Sequence, residues 1–477
     1  MRINHIADFN RRAFLKRCAA LTAVGAAAPL ALNLAAAGEA AAMTATDYKA
    51  LVCIFLYGGN DYANTFVPYD LKNYDRYAAI RGGAAGRKRG GIALGQAELD
   101  ATALTPVKPQ TLTDDLQYAL APELKSMAGL FNTGHAAVLL NVGPLLTPLT
   151  IRDYKSSDRV RFPLPPKLFS HNDQQSVWQA DGSEGATIGW GGRIGDLALA
   201  SNGTSALTCV SAAGNAVFVS GGSALQYEIS PSGAIPIWPA KGAVYGSTAA
   251  SQALKTLITQ PSQNVLENEF VRVTQRSMAL ETIVNGALKP VELKTGFDAG
   301  GKNTLAQQLR VVARLIGARD TLGLKRQVFF VSLGGFDTHA GLMANHPGLM
   351  AQLDEAMSAF YQSTVEMGVA DKVTAFTASD FGRTLASNGD GSDHGWGGHH
   401  FIVGGAVRGG QFYGTAPKVN LYSDDQVGQG RLLPTVAVDQ MSATLMRWFG
   451  VSDTERPMVL PNIGRFATPD LGVMRQN

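Results

Sequence analysis

Strongly apolar runs of seven or eight residues, separated by amphipathic stretches, constrain the fold of this chain most. Such a run is typical of a strand that is buried on both faces of a sheet. Because these runs alternate with helical patterns, the sequence predicts an α/β fold with a mostly parallel central sheet sandwiched by helices. The strands are predicted at Ala50–Tyr57, Ala136–Val142, Gln327–Leu333 and Lys372–Ala378, and a fifth begins at Phe401–Val403.

Helical periodicity fills much of the remaining chain. Residues 200–250 contain only short β-like runs that are interrupted by Gly and Ser. We therefore expect one α/β domain over residues 47–477, in which residues of about 200–300 form an insertion or cap. The helices are predicted at Pro122–Phe131, Val265–Leu288, Thr304–Leu322, His346–Met367 and Val436–Phe449.

The first 42 residues are predicted to be an export signal. Arg11 and Arg12 precede Phe-Leu-Lys and an alanine-rich run from Ala19 to about Ala37, and small-residue cleavage sites end at Ala37 and Ala42. This order is typical of a twin-arginine (Tat) signal; an amphipathic anchor helix is the alternative. No later segment has about 20 unbroken apolar residues, so no stable membrane span is expected. The Tat export machinery is then a partner, and the location is periplasmic or extracellular.

Composition excludes two classes of protein. The 477 residues are 45% hydrophobic and 17% charged, which is typical of a globular protein and not of a disordered chain. Residues 1–42 account for the whole net charge of +3, and the remainder is neutral. Because nucleic-acid binding needs a basic face, no nucleic-acid partner is expected. Cys53 and Cys209 lie in apolar runs and form either one disulfide or two buried thiols.

Carboxylates follow three of the predicted strands at the point where each strand ends. Asp61 lies in the motif GGND, Asp337 in GGFDTH and Asp380 in SDFGRT. Because ligands of open parallel sheets bind at the carboxyl ends of the strands, we expect the three carboxylates at one edge. Each of them, taken alone, is also explained as a loop aspartate that caps a helix.

Histidines are concentrated in the same part of the chain. Five of the eight fall between residues 339 and 400, in and around the motifs DTH and DHGWGGHH. Sets of His and Asp without Cys suit Zn²⁺, Mn²⁺ or Fe, and with more oxygen ligands Mg²⁺ or Ca²⁺. Adjacent residues of a strand point to opposite faces, so at most one of His399 and His400 is expected to be a ligand. A hydrogen-bonded structural histidine is the alternative for either.

A fourth motif, FSHNDQQSVWQ at residues 169–179, precedes a helical pattern. Ser170 is either the N-cap of this helix or a nucleophile beside a metal ion. His171 is a candidate metal ligand or general acid/base. Arg383 is a candidate clamp for an anionic substrate, because a guanidinium binds such groups through two parallel hydrogen bonds.

These motifs resemble family 1501 of the bacterial domain-of-unknown-function (DUF) families, whose members are commonly exported with Tat-type signals. The family is similar in turn to the alkaline phosphatase and sulfatase superfamily, so the resemblance implies an alkaline-phosphatase-like fold. Five segments contribute in order, namely GGNDYANTFVPYD (58–70), FSHNDQQSVWQ (169–179), GGFDTHAG (334–341), SDFGRT (379–384) and DHGWGGHHFIVGG (393–405).

The resemblance also implies roles for individual residues. Members of that superfamily hold one or two metal ions beside a nucleophile at a helix start, which is the position of Ser170. The chain departs from the pattern because Phe381 follows Asp380, and because His339 is only two residues beyond Asp337. The metal ligands that the resemblance implies are Asp61, Asp337, His339, Asp380, His394 and either His399 or His400.

We therefore expect an exported metal-dependent hydrolase that acts on a small anionic phosphate or sulfate ester. One or two divalent ions are expected, with Zn or Mn favoured over Ca or Mg. The alternative is a non-catalytic metal- or ligand-binding protein of the cell envelope on the same fold. A catalyst needs an open metal position and a nearby nucleophile, whereas a binding protein needs neither.

Overall fold

The computed structural model describes residues 43, 45–82, 91–297 and 300–475, so the predicted export signal lies outside the described residues. The strands are β1 Lys49–Leu56, β2 Phe66–Pro68, β3 Tyr118–Leu120, β4 Ala136–Gly143, β5 Cys209–Ser211, β6 Tyr227–Glu228, β7 Arg326–Leu333, β8 Val373–Ser379, β9 Gly398–Gly404, β10 Phe412–Tyr413 and β11 Val436–Ala437. The helices are α1 Tyr62–Thr65, α2 Leu71–Ile80, α3 Lys125–Asn132, α4 Ile151–Lys155, α5 His171–Ala180, α6 Trp190–Ala198, α7 Trp238–Lys241, α8 Thr248–Thr259, α9 Val265–Leu288, α10 Thr304–Gly317, α11 Leu342–Glu366, α12 Val438–Phe449 and α13 Arg456–Val459.

In the part of the chain that the structure describes, nine strands form one sheet in the order β10-β4-β9-β8-β1-β7-β5-β6, with β11 also paired to β4. The central strand β1 pairs in parallel with β7 and with β8 along almost its whole length. Within this sheet, β9 is antiparallel to both of its neighbours, β4 and β8. The predicted mostly parallel sheet is confirmed, and the reversal of β9 is a feature that the sequence did not predict.

The reversal of β9 matters for the position of the polar motifs. Thr374 near the start of β8 pairs with Gly404 at the end of β9, so β9 begins beside the end of β8. Residues that precede β9, including His394, therefore reach the same edge of the sheet as the residues that follow β1, β7 and β8. This edge collects the predicted functional residues from both strand directions.

Both faces of β1 are covered. Val52 and Ile54 pack into one apolar core together with Leu309 of α10, whereas Cys53 and Phe55 pack into a second core. The second core includes residues of α6 and α12. A strand with helices on both faces has no solvent side, which explains the continuous apolar run. Cys53 and Cys209 are both buried as free thiols.

Residues 200–300 divide into two parts. Strands β5 and β6 extend the central sheet beyond β7, with β5 parallel to both. The helices α7, α8 and α9 follow, and their assignment to a cap stays a prediction. Among the described residues, no helix combines the length and the apolar character that a membrane crossing requires.

Candidate functional site

Three histidines surround the carboxylate of Asp337 at the edge of the sheet. Asp337 Oδ1 lies 3.3 Å from Nε2 of both His339 and His394, and Oδ2 lies 3.6 Å from His171 Nε2. Asp337 and His339 follow β7, His394 precedes β9 and His171 opens α5. One ligand atom from each of His171, Asp337 and His394 lies within 4.8 Å of the other two, so these residues could hold a metal ion.

The same three histidines are oriented through their other ring nitrogen. A carbonyl or carboxylate oxygen accepts from Nδ1 in each case, so Nδ1 carries the proton and Nε2 keeps the lone pair in the neutral ring. Metal-binding histidines are held in this way by acceptors behind them. The Nδ1 contacts are His171 to Asp380 Oδ2 at 2.6 Å, His339 to Asp393 Oδ1 at 3.2 Å, and His394 to the Phe169 carbonyl at 2.8 Å.

This orientation brings two lone pairs together. Nε2 of His339 lies 2.9 Å from Nε2 of His394, a contact that is repulsive unless a proton or a cation shares it. Two ligands of a tetrahedral Zn²⁺ ion, each at about 2.0–2.1 Å from the metal, lie about 3.4 Å apart. The separations around Asp337 and between the two rings, 2.9–3.6 Å, are close to that value. The imidazoles of His171 and His394 and the carboxylate of Asp337 therefore fit an ion such as Zn²⁺ or Mn²⁺, and His339 lies beside them as a candidate fourth ligand.

Arg383 supports Asp337 from inside the protein. Its side chain is fully buried and donates to Asp337 Oδ1 at 3.0 Å, to the Gly58 carbonyl at 2.8 Å and to the Ser392 carbonyl at 2.6 Å. Partial burial opposes ionisation, but the Arg383 hydrogen bond and charge, with the nearby histidines, lower the pKa of Asp337. The structure thus directs Arg383 at the protein interior, whereas the sequence suggested contact with a substrate.

Asp380 lies directly behind His171. The buried carboxylate accepts from His171 Nδ1, from Gln175 Nε2 at 2.9 Å and from the Gly58 N–H at 3.2 Å. The hydrogen bond that His171 donates to Asp380 raises the pKa of His171. Gly58 makes this arrangement possible, since its φ is +115° and an added Cβ would lie 2.3 Å from the Asp337 nitrogen. Asp380 therefore orients His171 and is connected to the cluster through the hydrogen bond with that residue.

The structure does not bring Asp61 to the cluster. Its buried carboxylate accepts from Arg81 Nη2 at 2.7 Å, from Ser392 Oγ at 2.6 Å and from the Asn64 N–H at 2.9 Å. Burial opposes ionisation, but the positive charge of Arg81 lowers the pKa of Asp61. A guanidinium thus supplies the cation beside this carboxylate. Sequence reasoning missed Arg81 because it begins a basic, glycine-rich stretch that reads as a surface loop.

His399 and His400 are also placed elsewhere. Both are buried in β9, and burial lowers the pKa of each to about 3. His399 Nδ1 accepts from the Asn141 N–H at 3.0 Å, and its ring packs against Tyr62. His400 packs against Trp178 with the two rings tilted, in a different part of the core. Each is held as a neutral ring within the sheet, apart from the histidines around Asp337.

Ser170 precedes the first residue of α5. Its hydroxyl does not cap a backbone N–H of the helix and instead donates to the side chain of Asp173, at 2.8 Å from Oδ2. Asp173 is buried, and Lys167 Nζ lies 3.6 Å from it. The residue before the serine, Phe169, has a φ of +74°, a conformation that few bulky residues adopt. The turn that delivers Ser170 and His171 is therefore tightly specified.

Two further residues complete the cluster. Phe381 lies beneath the rings of His171 and His394, with centroids 4.9 and 4.5 Å away. Asp393 accepts from His339, and hydrogen bonds from Asn388 and His339 lower the pKa of its carboxyl group although burial opposes this change. Both residues belong to motifs found in the sequence. Their roles could not be predicted there, because they depend on contacts with histidines that only the fold brings close.

A mostly parallel sheet with a His/Asp cluster at its C-terminal edge defines an α/β protein with a candidate metal centre. The chain belongs to the family described as "Protein of unknown function (DUF1501)", whose model matches residues 48–460, which confirms the resemblance seen in the motifs. No curated protein matches the chain.

Two solved structures of low sequence identity match most of this chain. Ps i-CgsB in complex with k-i-k-neocarrahexaose is 8% identical, with 87% of this chain and 77% of that chain covered and a TM-score of 0.35. The PsFucS1 sulfatase from Pseudoalteromonas sp. is 9% identical, with 90% and 74% covered and a TM-score of 0.35.

Proposed function

We propose that the protein is a metal-dependent hydrolase of small phosphate or sulfate esters. The ion would be held by His171, Asp337 and His394, with His339 as a fourth ligand. The observation that supports this most is the 2.9 Å contact between Nε2 of His339 and of His394, which a shared cation would relieve. A bound divalent ion supplies Lewis-acid polarisation of an ester oxygen. We propose one ion and not two, because the carboxylate of Asp61, which was expected to bind metal, already has Arg81 as its counter-charge.

The chain's own residues would bind and attack the ester. The anionic group would lie at the N-terminus of α5, where backbone N–H groups and the helix dipole favour negative charge. Ser170 would act as the nucleophile: its oxygen would form the new bond to phosphorus or sulfur. Its proton would pass to Asp173 along their 2.8 Å hydrogen bond, while the bond to the alcohol breaks. The departing alkoxide would take a proton from water, and the resulting hydroxide would then displace Ser170 from the phosphate or sulfate, with Asp173 returning the proton to the serine oxygen.

One observation favours the second candidate, a non-catalytic metal-binding protein of the cell envelope. Arg383 donates to backbone carbonyls and to Asp337, so it is not directed at an anionic substrate. For either candidate, we propose export by the Tat machinery to the periplasm or beyond.

Metal content and turnover, measured together, test the proposal. We expect stoichiometric metal in the unmodified chain, its loss in Asp337→Ala/His339→Ala, and hydrolysis of phosphate or sulfate esters. Ser170→Ala should keep the metal and abolish turnover, and His135→Gln, at a histidine outside the cluster, should change neither. Metal binding without turnover of any ester would favour the second candidate, and the absence of metal after reconstitution would contradict both.

A further inference from the structure

The long helix α9 exposes an apolar stripe to solvent. Leu266, Phe270 and Val273 are 81%, 61% and 41% exposed, and we call these three residues the α9 stripe. Their spacing of four and three residues continues through Ser277 and Leu280. This alternation is the heptad pattern of a seam between two helices. Three large apolar side chains in a row on one helix face are an expected contact surface.

The α9 stripe lies in the N-terminal half of the helix, whereas α9 packs on its own protein mainly through its C-terminal half. Val284 and Leu288 lie on the same helix face as Leu266 and Phe270, five turns further along, and are buried in the core. Beside the stripe, α9 is connected to the preceding segments by a bond from Gln275 to the Thr259 carbonyl at 2.8 Å and by a contact of Lys241 with Glu281 at 2.6 Å. The stripe is therefore available to a second molecule while α9 keeps its own packing.

Charged residues beside the stripe indicate which molecule fits. Glu269 and Arg276 lie on the same edge of the stripe, seven residues apart. If a second α9 runs antiparallel with its Val273 opposite Phe270, Glu269 of each copy faces Arg276 of the partner subunit. The two-fold symmetry makes this pair twice. Glu269 now contacts Arg272 of its own helix at 3.3 Å, an exposed pair that contributes little and can be exchanged.

We propose that the protein forms a homodimer in which the α9 stripe packs antiparallel against the α9 stripe of a second copy. The register set by Phe270 and Val273 overlaps residues 265–278 of the two helices, a seam about 21 Å long. Each layer joins a large residue to a smaller one, with Phe270 against Val273 and Leu266 against Ser277. The seam includes no residue of the cluster around Asp337, so the dimer can be tested separately from the proposed catalysis.

Sedimentation velocity of the full chain over a range of concentrations tests the apolar part of the seam. We expect a dimer for the unmodified protein and a monomer for Leu266→Glu/Phe270→Glu. Leu71→Glu is a matched control, because Leu71 is an exposed leucine of α2 and should leave the dimer intact. Circular dichroism of each variant verifies that the fold is retained. A monomeric unmodified protein, or a double variant that still dimerises, would overturn the proposal.

Charge reversal tests the antiparallel register. Glu269→Arg alone and Arg276→Glu alone each place like charges opposite one another, and we expect each to weaken self-association about tenfold. An equal mixture of these two variants restores both opposite-charge pairs, so it should form heterodimers with the affinity of the unmodified protein. If the mixture associates no better than either variant alone, the antiparallel pairing is wrong.

Discussion

Nε2 of His339 and Nε2 of His394 face one another at 2.9 Å, while Asp393 and the Phe169 carbonyl hold the opposite ring nitrogens. When both rings are neutral, this contact is repulsive, and a bound cation relieves the repulsion. We expect a chelator to lower the melting temperature and added Zn²⁺ or Mn²⁺ to restore it. Free metal at 100 times the Kd would stabilise the protein by about 2.7 kcal/mol. A melting temperature that no divalent ion changes would count against the site.

The carboxylate behind His171 should control metal affinity without binding the metal. Asp380→Asn keeps the size of the side chain but removes the charge that holds His171 Nδ1. Loss of such an acceptor typically weakens metal binding about 10- to 100-fold. Titration calorimetry with Zn²⁺ would measure the change. Asp371→Asn, at an exposed aspartate, should bind Zn²⁺ as tightly as the unmodified chain.

Asp61 should be needed for stability and not for metal binding. Asp61→Asn leaves the buried guanidinium of Arg81 without its counter-charge. Arg81 Nε already lacks a hydrogen-bond partner among the described residues. Breaking a buried pair of this kind costs about 3–5 kcal/mol, which chemical denaturation would measure. If the variant instead has the same free energy of unfolding as the unmodified protein and loses its metal, Asp61 is a metal ligand.

The sequence predicted much of the fold because buried strands and long helices have distinct periodicities. Helix α9 begins and ends at the predicted residues, and α11 begins one turn before its predicted start at His346. The direction of β9 could not be read in this way, since periodicity is the same for a parallel and an antiparallel strand. Because β9 is antiparallel to its neighbours, His394, which precedes β9, lies at the same edge of the sheet as Asp337, which follows β7.

The sequence indicated which kinds of residue form the candidate site, but it did not show which of those residues contact one another. Strand ends and histidine clustering indicated Asp337, His339 and His394, which the structure brings together. Whether a buried carboxylate faces a cluster or a guanidinium depends on long-range contacts, and Asp61 meets Arg81. The alternation of His399 and His400 was expected, but alternation alone does not show that both faces of β9 are core.

A buried carboxyl group directly after the C-terminal end of α5 should make the free energy of unfolding depend on pH. Burial raises the pKa of Asp181 from 3.8 to about 6, and burial together with the Asp181 charge raises the pKa of Asp439 as well. The folded state therefore holds a proton that the unfolded chain releases, so stability falls as pH rises from about 4 to 6 and stays low above that. Asp181→Asn removes the charge at a left-handed position that asparagine also tolerates. We expect a gain of up to about 3 kcal/mol at pH 7 and little change at pH 4, measured by denaturation at both values. An equal effect at the two pH values would show that the side chain acts through packing and not through its ionisation.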